Sequence, residues 1–157
     1  YSLLGTTSTW GVFDWGLNFD WGTSSERENR RRGHDAVAPI RTPAMAGGLF
    51  TIRRDYFYEL GSYDEGMVVW GGENVEMSLR VWQCHGELLI IPCSRVGHVF
   101  RKVSPYSWPG GTTSVLHNNH LRTARVWLDE FLKYSLTFLP GESGRLFYVP
   151  VGMFYVL

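Results

Sequence analysis

Apolar residues recur every three or four positions in two stretches of the chain, residues 73–84 and 115–133. Because an α-helix completes a turn in 3.6 residues, residues at this spacing share one face, and we predict a helix over each stretch. A shorter helix is predicted over 54–60, with Gly61 ending it. The apolar residues that define the two longer helices are Val75, Leu79 and Trp82, then Leu121, Ala124, Trp127, Leu128 and Phe131.

Shorter apolar patterns predict strands. Aromatic residues alternate with other residues over 13–21, which indicates extended segments. The runs 49–52 and 88–91 are apolar and stand next to Gly or Pro, so we predict a buried strand for each. Residues 95–100 alternate well enough to predict one more strand.

Two further stretches have no periodic pattern and are predicted to be loops. Residues 24–34 are polar and rich in arginine, which is typical of a solvated surface. Residues 101–113 contain two prolines and two glycines around Tyr106 and Trp108. A loop of this length is long enough to have a functional role.

Charge and composition narrow the functional classes. The 15 Lys and Arg residues balance 15 Asp and Glu residues, which argues against a nucleic-acid partner. The longest apolar stretch, 146–157, contains a proline and a glycine and is shorter than the roughly 20 residues that cross a bilayer. We therefore expect no membrane-spanning segment in these residues. The seven tryptophans and 18 glycines suit either sugar and nucleotide binding or a dense core.

The most specific stretch for chemistry is Trp70-Gly71-Gly72-Glu73-Asn74. Two glycines before a helix allow the backbone to come close to a ligand, and a carboxylate in the first helical turn lies at the positive end of the helix dipole. A purely structural interpretation, in which Glu73 only stabilises the helix N-terminus, explains the same residues equally well.

His98 is the candidate metal ligand. It lies in the predicted strand 95–100, and Arg101 follows it closely. An imidazole on a divalent cation beside a guanidinium would suit a bound diphosphate. A single histidine is, however, more often a hydrogen-bonded core residue, so both interpretations stay open. The spacing of Cys84 and Cys93 is not that of a zinc site.

Five blocks of this sequence, in order, closely resemble the polypeptide N-acetylgalactosaminyltransferases, and the resemblance extends from about residue 13 to residue 133. It implies an α/β fold that is part of a GT-A (Rossmann-like) glycosyltransferase domain, a mixed sheet flanked by helices. The blocks are Phe13-Asp-Trp-x-Leu-x-Phe19, Ala38-Pro-Ile-x-Thr-Pro-x-x-Ala-Gly-Gly-Leu-Phe50, Trp70-Gly-Gly-Glu-Asn-x-Glu76, Arg80-x-Trp82-x-Cys84 and Ile91-Pro-Cys-Ser-x-Val-Gly-His-Val-Phe-Arg101.

The resemblance also implies an activity. Members of this family are retaining enzymes that use UDP-GalNAc and Mn²⁺ to transfer GalNAc to Ser or Thr hydroxyls of polypeptides, which begins mucin-type O-glycosylation. The implied partners are the UDP-GalNAc donor and a polypeptide acceptor. The implied location is the Golgi lumen, with a longer parent protein anchored in the Golgi membrane through a segment absent from these residues.

Site residues carry over from the family only where the motifs match. Glu73 and Asn74 resemble the catalytic pair beside the donor sugar, and His98 resembles the metal-ligating histidine. The residues that resemble UDP-GalNAc contacts are Ala46, Gly47, Gly48, Trp70, Arg101 and Tyr106. Those that resemble the pocket for the acceptor peptide are Phe13, Trp15 and Phe100.

Differences from the family pattern indicate which part of a family member these 157 residues correspond to. The aspartate-x-histidine motif, which supplies other metal ligands in the family, is absent from the 157 residues. The resemblance therefore implies the C-terminal part of a catalytic domain over 1–135, expected to be inactive alone. It also implies a divergent apolar tail without a lectin domain over 136–157. Because Cys84 and Cys93 pair with other cysteines in relatives, we expect no bond between them.

Two other functions remain open at this stage. The first is a catalytically incomplete module that binds sugar or peptide through Phe13, Trp15 and Phe100. The second is another GT-A enzyme, such as a galactosyltransferase, because the Trp-Gly-Gly-Glu sequence is shared with those enzymes. Asn74 after Glu73 favours the N-acetylgalactosaminyltransferases.

Overall fold

A computed structural model of the chain describes residues 8–99, 101 and 105–139. In this part of the chain, no helix has both the length and the apolar character needed to cross a membrane. The elements in chain order are β1 (Thr9–Phe13), β2 (Phe19–Thr23), α1 (Glu26–Arg31), β3 (Ile40–Arg41), α2 (Arg54–Glu59), α3 (Glu73–Gln83), β4 (Leu89–Ile90), α4 (Thr112–Trp127), a 3-10 turn (Asp129–Phe131) and α5 (Leu132–Leu136).

The strands form two antiparallel ribbons. β1 and β2 make a hairpin in which Gly11 is opposite Trp21. The extended segment predicted around Phe19 and Trp21 is confirmed, whereas the one predicted around Phe13 and Trp15 is not, because Phe13 ends β1 and Trp15 lies in the turn. β3 pairs with β4. The ribbons are joined at Thr42, whose hydroxyl accepts from the Gly11 amide at 2.8 Å, and at a bridge between Gly11 and Ala44.

Two of the predicted helices are confirmed. α2 and α3 begin and end within one residue of the predicted positions, and Gly61 follows α2 with a φ of +91° that suits glycine. α3 is stabilised by its apolar face, on which Val75 and Leu79 are buried. α3 thus supplies the central packing surface of the described chain.

The loop predicted over 24–34 is wrong, because this segment contains α1. Ser25 caps the helix, its hydroxyl accepting from the Glu28 amide at 3.2 Å. Glu28 is buried and accepts hydrogen bonds from the Arg31 guanidinium and from the Arg41 amide. The Ser-x-x-Glu capping signal was present in the sequence, and the abundance of arginine concealed it.

Three strand predictions fail or shrink. Residues 49–52 form no strand, and Leu49 is exposed. The strand predicted over 88–91 is reduced to β4, in which Ile90 packs on the apolar cluster of Trp10, Val12 and Ile40. Residues 95–99 form none of the named strands, and Val96 and Val99 are exposed. An apolar run becomes a strand only where a neighbouring strand can pair with it.

The single helix predicted over 115–133 is wrong in its ends and its continuity. α4 starts at Thr112, directly after Gly111, and stops at Trp127. Asp129 then has a φ of +43°, which an α-helix does not allow, and Leu128 turns into the core. The chain continues through a 3-10 turn into α5.

The main core lies between α3 and α4. Leu17, Val75, Leu79, Ala124 and Leu128 form its buried cluster. This packing places the start of α3 beside the middle of α4.

The two cysteines do not bond to each other. Cys84 and Cys93 are both free and exposed in the described residues. Most of the predicted tail 136–157 lies outside the described residues, as does Phe100.

Candidate functional site

The two glycines before α3 make a tight corner against α4. Gly71 and Gly72 have φ values of +101° and +90°, a region that other residues rarely adopt. A Cβ at Gly71 would overlap the Leu116 side chain, and a Cβ at Gly72 would lie 2.8 Å from the His120 ring. From the sequence, these glycines fit either the approach of a ligand or a purely structural turn. The close approach that the structure shows is that of α4.

The Glu73 side chain turns back toward the glycine corner and binds the backbone there. It is half-buried at the first residue of α3, and its Oε2 accepts a hydrogen bond from the Gly71 amide at 2.8 Å. A backbone amide donor of this kind fixes the direction of the carboxylate. Glu73 is therefore held in one orientation at the helix N-terminus.

The segment 45–48 lies directly beside the start of α3. The Asn74 side-chain amide donates to the Met45 carbonyl at 3.0 Å, and the Ser78 hydroxyl accepts from the Met45 amide at 3.0 Å. A Cβ at Gly47 would lie 3.0 Å from Asn74 Cβ and 3.4 Å from Glu73 Oε1.

The structure thus brings together three residues that the sequence analysis selected, Gly47, Glu73 and Asn74. Ala46 is half-buried in the same segment. Gly48 is exposed, with open space where a Cβ would stand.

Aromatic rings lie next to the corner. Trp70 is 57% exposed and meets Trp108 edge-on, with ring centroids 6.5 Å apart and planes at 87°. This contact joins the corner to the segment 105–111, which also carries Tyr106. Tyr106 and Arg101 are exposed. An exposed indole three residues before a half-buried carboxylate offers a flat surface suitable for a sugar or nucleotide.

Asn119 is a structural residue of this site that the sequence analysis missed. It is 1% exposed on α4, and its side chain binds the backbone of the chain from Val68 to Gly71. The apolar pattern of α4 gave no sign of it, because a polar residue interrupts that pattern. The available signal was a polar residue on the inward face of an amphipathic helix.

Titratable groups behind the corner have shifted pKa values. Burial lowers the pKa of His120, whose ring packs against Gly72. The Arg122 guanidinium lowers the pKa of Asp64 through two hydrogen bonds of 2.8 and 2.7 Å. A neutral imidazole and a charged carboxylate are therefore expected at neutral pH.

His98 is half-buried in the segment after β4. Within residues 8–99, 101 and 105–139, no group of three or more His, Cys, Asp or Glu side chains is placed to hold a metal ion. His98 can offer one nitrogen ligand, but the described residues do not make a complete metal site.

The aromatic residues predicted to bind an acceptor peptide take part in packing. Phe13 ends β1 and packs against the core cluster. Trp15 stacks on Phe131, with centroids 6.2 Å apart and planes at 24°, and meets Tyr134 at 5.3 Å. Both residues therefore have a structural role in the described chain.

A separate cleft of about 560 Å³ opens between α2, α3 and α4. Tyr56, Asp64, Glu76, Arg80 and Arg122 contribute to its lining, and it includes none of the predicted site residues. Glu76 and Arg80 form a buried ion pair at its floor, so these charges are already satisfied within the fold.

Comparison with known proteins identifies the relatives of this chain. The sequence model of a family described as the N-terminal domain of galactosyltransferase matches residues 34–103. Polypeptide N-acetylgalactosaminyltransferase 13 of Homo sapiens is 54% identical over 139 residues, which are 88% of this chain and 25% of that protein. Polypeptide N-acetylgalactosaminyltransferase 3 of Drosophila melanogaster is 53% identical over 135 residues, 84% of this chain and 20% of that protein.

A solved structure agrees with these relatives. The crystal structure of GalNAc-T7 with UDP, GalNAc and Mn²⁺ matches with a TM-score of 0.72 and 43% identity, over 82% of this chain and 23% of that one. This likeness confirms the α/β, partial GT-A fold. The chain spans about a quarter of the length of these relatives. The resemblance recognised in the sequence is confirmed, and this chain is a relative of the polypeptide N-acetylgalactosaminyltransferases that corresponds to one segment of them.

Proposed function

We propose that this chain is part of a retaining glycosyltransferase that transfers GalNAc from UDP-GalNAc to Ser or Thr hydroxyls of polypeptides. The observation that carries the proposal is the contact of Glu73 and Asn74 with Gly47 at the corner before α3. The relatives named above support the assignment of substrate class, because the chain is more than half identical to them over most of its length.

The proposed reaction is a front-face substitution at the anomeric carbon. The bond from that carbon to the UDP oxygen breaks while the acceptor hydroxyl enters on the same side, so the anomeric configuration is retained. The hydroxyl proton passes to a phosphate oxygen of the departing UDP, and no separate base is needed. Glu73, held by the Gly71 amide, orients the sugar and stabilises positive charge on it in the transition state.

Neighbouring residues complete the proposed donor site. Trp70 would lie near the leaving phosphate and Tyr106 would close on UDP, while Ala46, Gly47 and Gly48 would contact the sugar. Arg101 pairs with a phosphate oxygen, as guanidinium groups commonly do. Phe13, Trp15 and Phe100 form the proposed acceptor pocket, with Asn74 beside the sugar.

We also propose Mn²⁺ as the metal, with His98 as its nitrogen ligand. When bound, the ion would neutralise the negative charge of the leaving diphosphate as a Lewis acid. The described residues supply only this one ligand, so the remaining ligands must come from UDP and from other parts of the protein. The steps assigned above to Glu73 and the acceptor hydroxyl do not depend on the identity of those ligands.

The relatives suggest a setting for the protein. We propose that it acts in the Golgi lumen, anchored to the membrane by a segment outside these residues. Cys84 and Cys93 would bond there to cysteines elsewhere in the protein, since secretory compartments are oxidising. Residues 1–135 would belong to the catalytic domain and 136–157 to a divergent tail.

The test is a transfer assay on the full-length protein that contains this chain, with UDP-GalNAc, a threonine peptide, and Mn²⁺ present or removed. We expect transfer that requires Mn²⁺. Glu73→Gln should keep UDP binding and lower the rate roughly 100-fold or more. The control is Glu65→Gln, which changes an exposed glutamate of the loop before α3. It should leave UDP binding and the transfer rate unchanged.

Three outcomes would contradict the proposal in different ways. Binding of UDP or peptide without transfer by the unaltered protein would favour the non-catalytic module. Equal loss of binding and transfer in Glu73→Gln would remove the role given to this carboxylate. Transfer from UDP-galactose in preference to UDP-GalNAc would favour the galactosyltransferase alternative, which the family match over 34–103 makes worth including.

A further inference from the structure

Asn119 binds four backbone groups of one loop. Its Oδ1 accepts from the Val68 amide at 3.2 Å, and its Nδ2 donates to the Val68 carbonyl at 3.1 Å and to the Gly71 carbonyl at 2.9 Å. A longer contact of 3.4 Å joins Nδ2 to the Trp70 carbonyl. A buried side chain with this many backbone partners fixes the path of the loop, because each partner would otherwise lose its hydrogen bond.

The peptide group between Trp70 and Gly71 connects Asn119 to Glu73. In a trans peptide the C=O and N–H groups point in opposite directions. Here the carbonyl of this peptide faces Asn119 Nδ2, and its N–H donates to Glu73 Oε2 at 2.8 Å. Asn119 and the Glu73 carboxylate therefore bind opposite edges of a single peptide group, and any rotation of that group weakens both contacts.

A second contact fixes the other end of the loop. Arg122, three residues after Asn119 on α4, binds Asp64 with both guanidinium arms, and Asp64 accepts from the Gly66 amide at 2.9 Å. Residues three apart on a helix share a face. The loop from Asp64 to Gly71 is thus attached at both ends to one face of α4.

We infer that Asn119 is a positioning residue, which sets the orientation of the Glu73 carboxylate and of the Trp70 ring by fixing the Trp70–Gly71 peptide. The inference rests on the proposed function, in which these two groups contact the donor. An asparagine suits the task because its amide offers a donor and an acceptor on one short side chain. Reaction rates depend steeply on such orientation.

The test uses Asn119→Asp, which is almost the same size. The aspartate keeps an acceptor for the Val68 amide but replaces the donor with an oxygen that faces carbonyl oxygens. In the full-length protein, we expect hydrogen exchange at the Gly71 amide to accelerate roughly 10- to 100-fold, and exchange at the Val68 amide, whose acceptor is kept, to accelerate less. Exchange in α3 from Met77 to Val81 should change little. We expect kcat for GalNAc transfer to fall by a similar factor, with KM for the peptide nearly unchanged.

The matched control is Asn118→Asp, the same chemical change at the exposed neighbouring position of α4. It should alter neither exchange in the loop nor transfer. If Asn119→Asp does not fold, Asn119→Ala replaces it, since alanine removes the donor without adding charge.

Two results would overturn the inference. One is unchanged exchange at Val68 and Gly71, or a rise shared equally by α3, which would indicate a general loss of stability. The other is faster exchange in the loop with an unchanged kcat. If the unaltered protein shows no transfer at all, the proposed function fails, and the exchange measurement by itself decides whether Asn119 fixes the peptide beside Glu73.

Discussion

The two halves of α4 hold their neighbours by different means. In the C-terminal half, Ala124 joins the buried apolar cluster with Val75 and Leu79 of α3, as does Leu128 directly after the helix. In the N-terminal half, the buried polar side chain that faces the glycine corner is Asn119, and His120, directly after it, packs against Gly72. One helix therefore packs a core at one end and orients a loop at the other.

The difference follows from the physics of the two kinds of contact. Apolar burial depends on area and has little preference for direction, so it stabilises the α3–α4 pair without fixing a peptide plane. Hydrogen bonds weaken steeply when they are misaligned, so Asn119 selects one arrangement of the loop. A site that needs an oriented carboxylate gains more from the second kind of contact.

The largest effect is expected at a charge pair of α3 that contacts the C-terminal end of α4. Glu76 and Arg80 are 4% and 5% exposed, and the Trp127 indole also donates to Glu76 at 2.8 Å. Arg80→Met would leave the carboxylate buried without its cation, so we expect the free energy of unfolding to fall by about 3–5 kcal/mol in urea denaturation. Arg125→Met, at an exposed position, is the control. A loss no greater than that of the control would show that the pair adds nothing.

A smaller effect is expected at the corner. Gly71→Ala places a Cβ against Leu116 at a φ of +101°, and we expect a loss of about 2–3 kcal/mol in the free energy of unfolding. Combining it with Leu116→Ala relieves the overlap but not the backbone strain. The double variant should therefore lose less than the sum of the two single variants.

The control for the corner is Gly48→Ala, in which the new Cβ meets open space, so stability should change little.

Strict additivity of Gly71→Ala and Leu116→Ala would mean that the two side chains do not compete for the same space. In that case the difference between the two halves of α4 would depend on hydrogen bonds alone, without a contribution from the close packing of Gly71 against Leu116.

The sequence predicted the features that repeat with a regular period. α3 was placed correctly because Val75 and Leu79 recur at helical spacing after two glycines. The contact of Gly47 with Glu73 and Asn74 followed from motifs that match a family. The strand predicted over 49–52 was wrong because an apolar run contains no information about whether a partner strand is available.

Other features depend on single polar residues, which periodicity does not reveal. α1 depends on the capping hydroxyl of Ser25, and the loop before α3 depends on Asn119. Asp129 ends the helical path of α4 by its backbone conformation alone. Each of these three features depends on one residue, which acts through a hydrogen bond or through its own backbone conformation. A periodic pattern of apolar residues contains neither kind of information.

The smallest effect expected is a dependence of stability on pH. The pKa of His120 is lowered, mainly by burial and also by His117, whereas Asp14 and a hydrogen bond with the Gly16 backbone oppose this shift. Below pH of about 6.5 an unfolded imidazole takes up a proton that the folded one still excludes. The free energy of unfolding should therefore fall as pH drops from 6.5 toward the lowered pKa, and stay constant above 6.5.

Replacing the imidazole isolates this contribution. His120→Asn should remove the decline in stability below pH 6.5, measured by urea denaturation between pH 5 and pH 8, whereas His85→Asn at an exposed site should preserve it. Because His120 packs against Gly72, the same decline should coincide with faster exchange of the Gly71 amide. A decline that persists in His120→Asn would assign the pH dependence to other groups and would leave Asn119 as the polar contact that distinguishes the N-terminal half of α4.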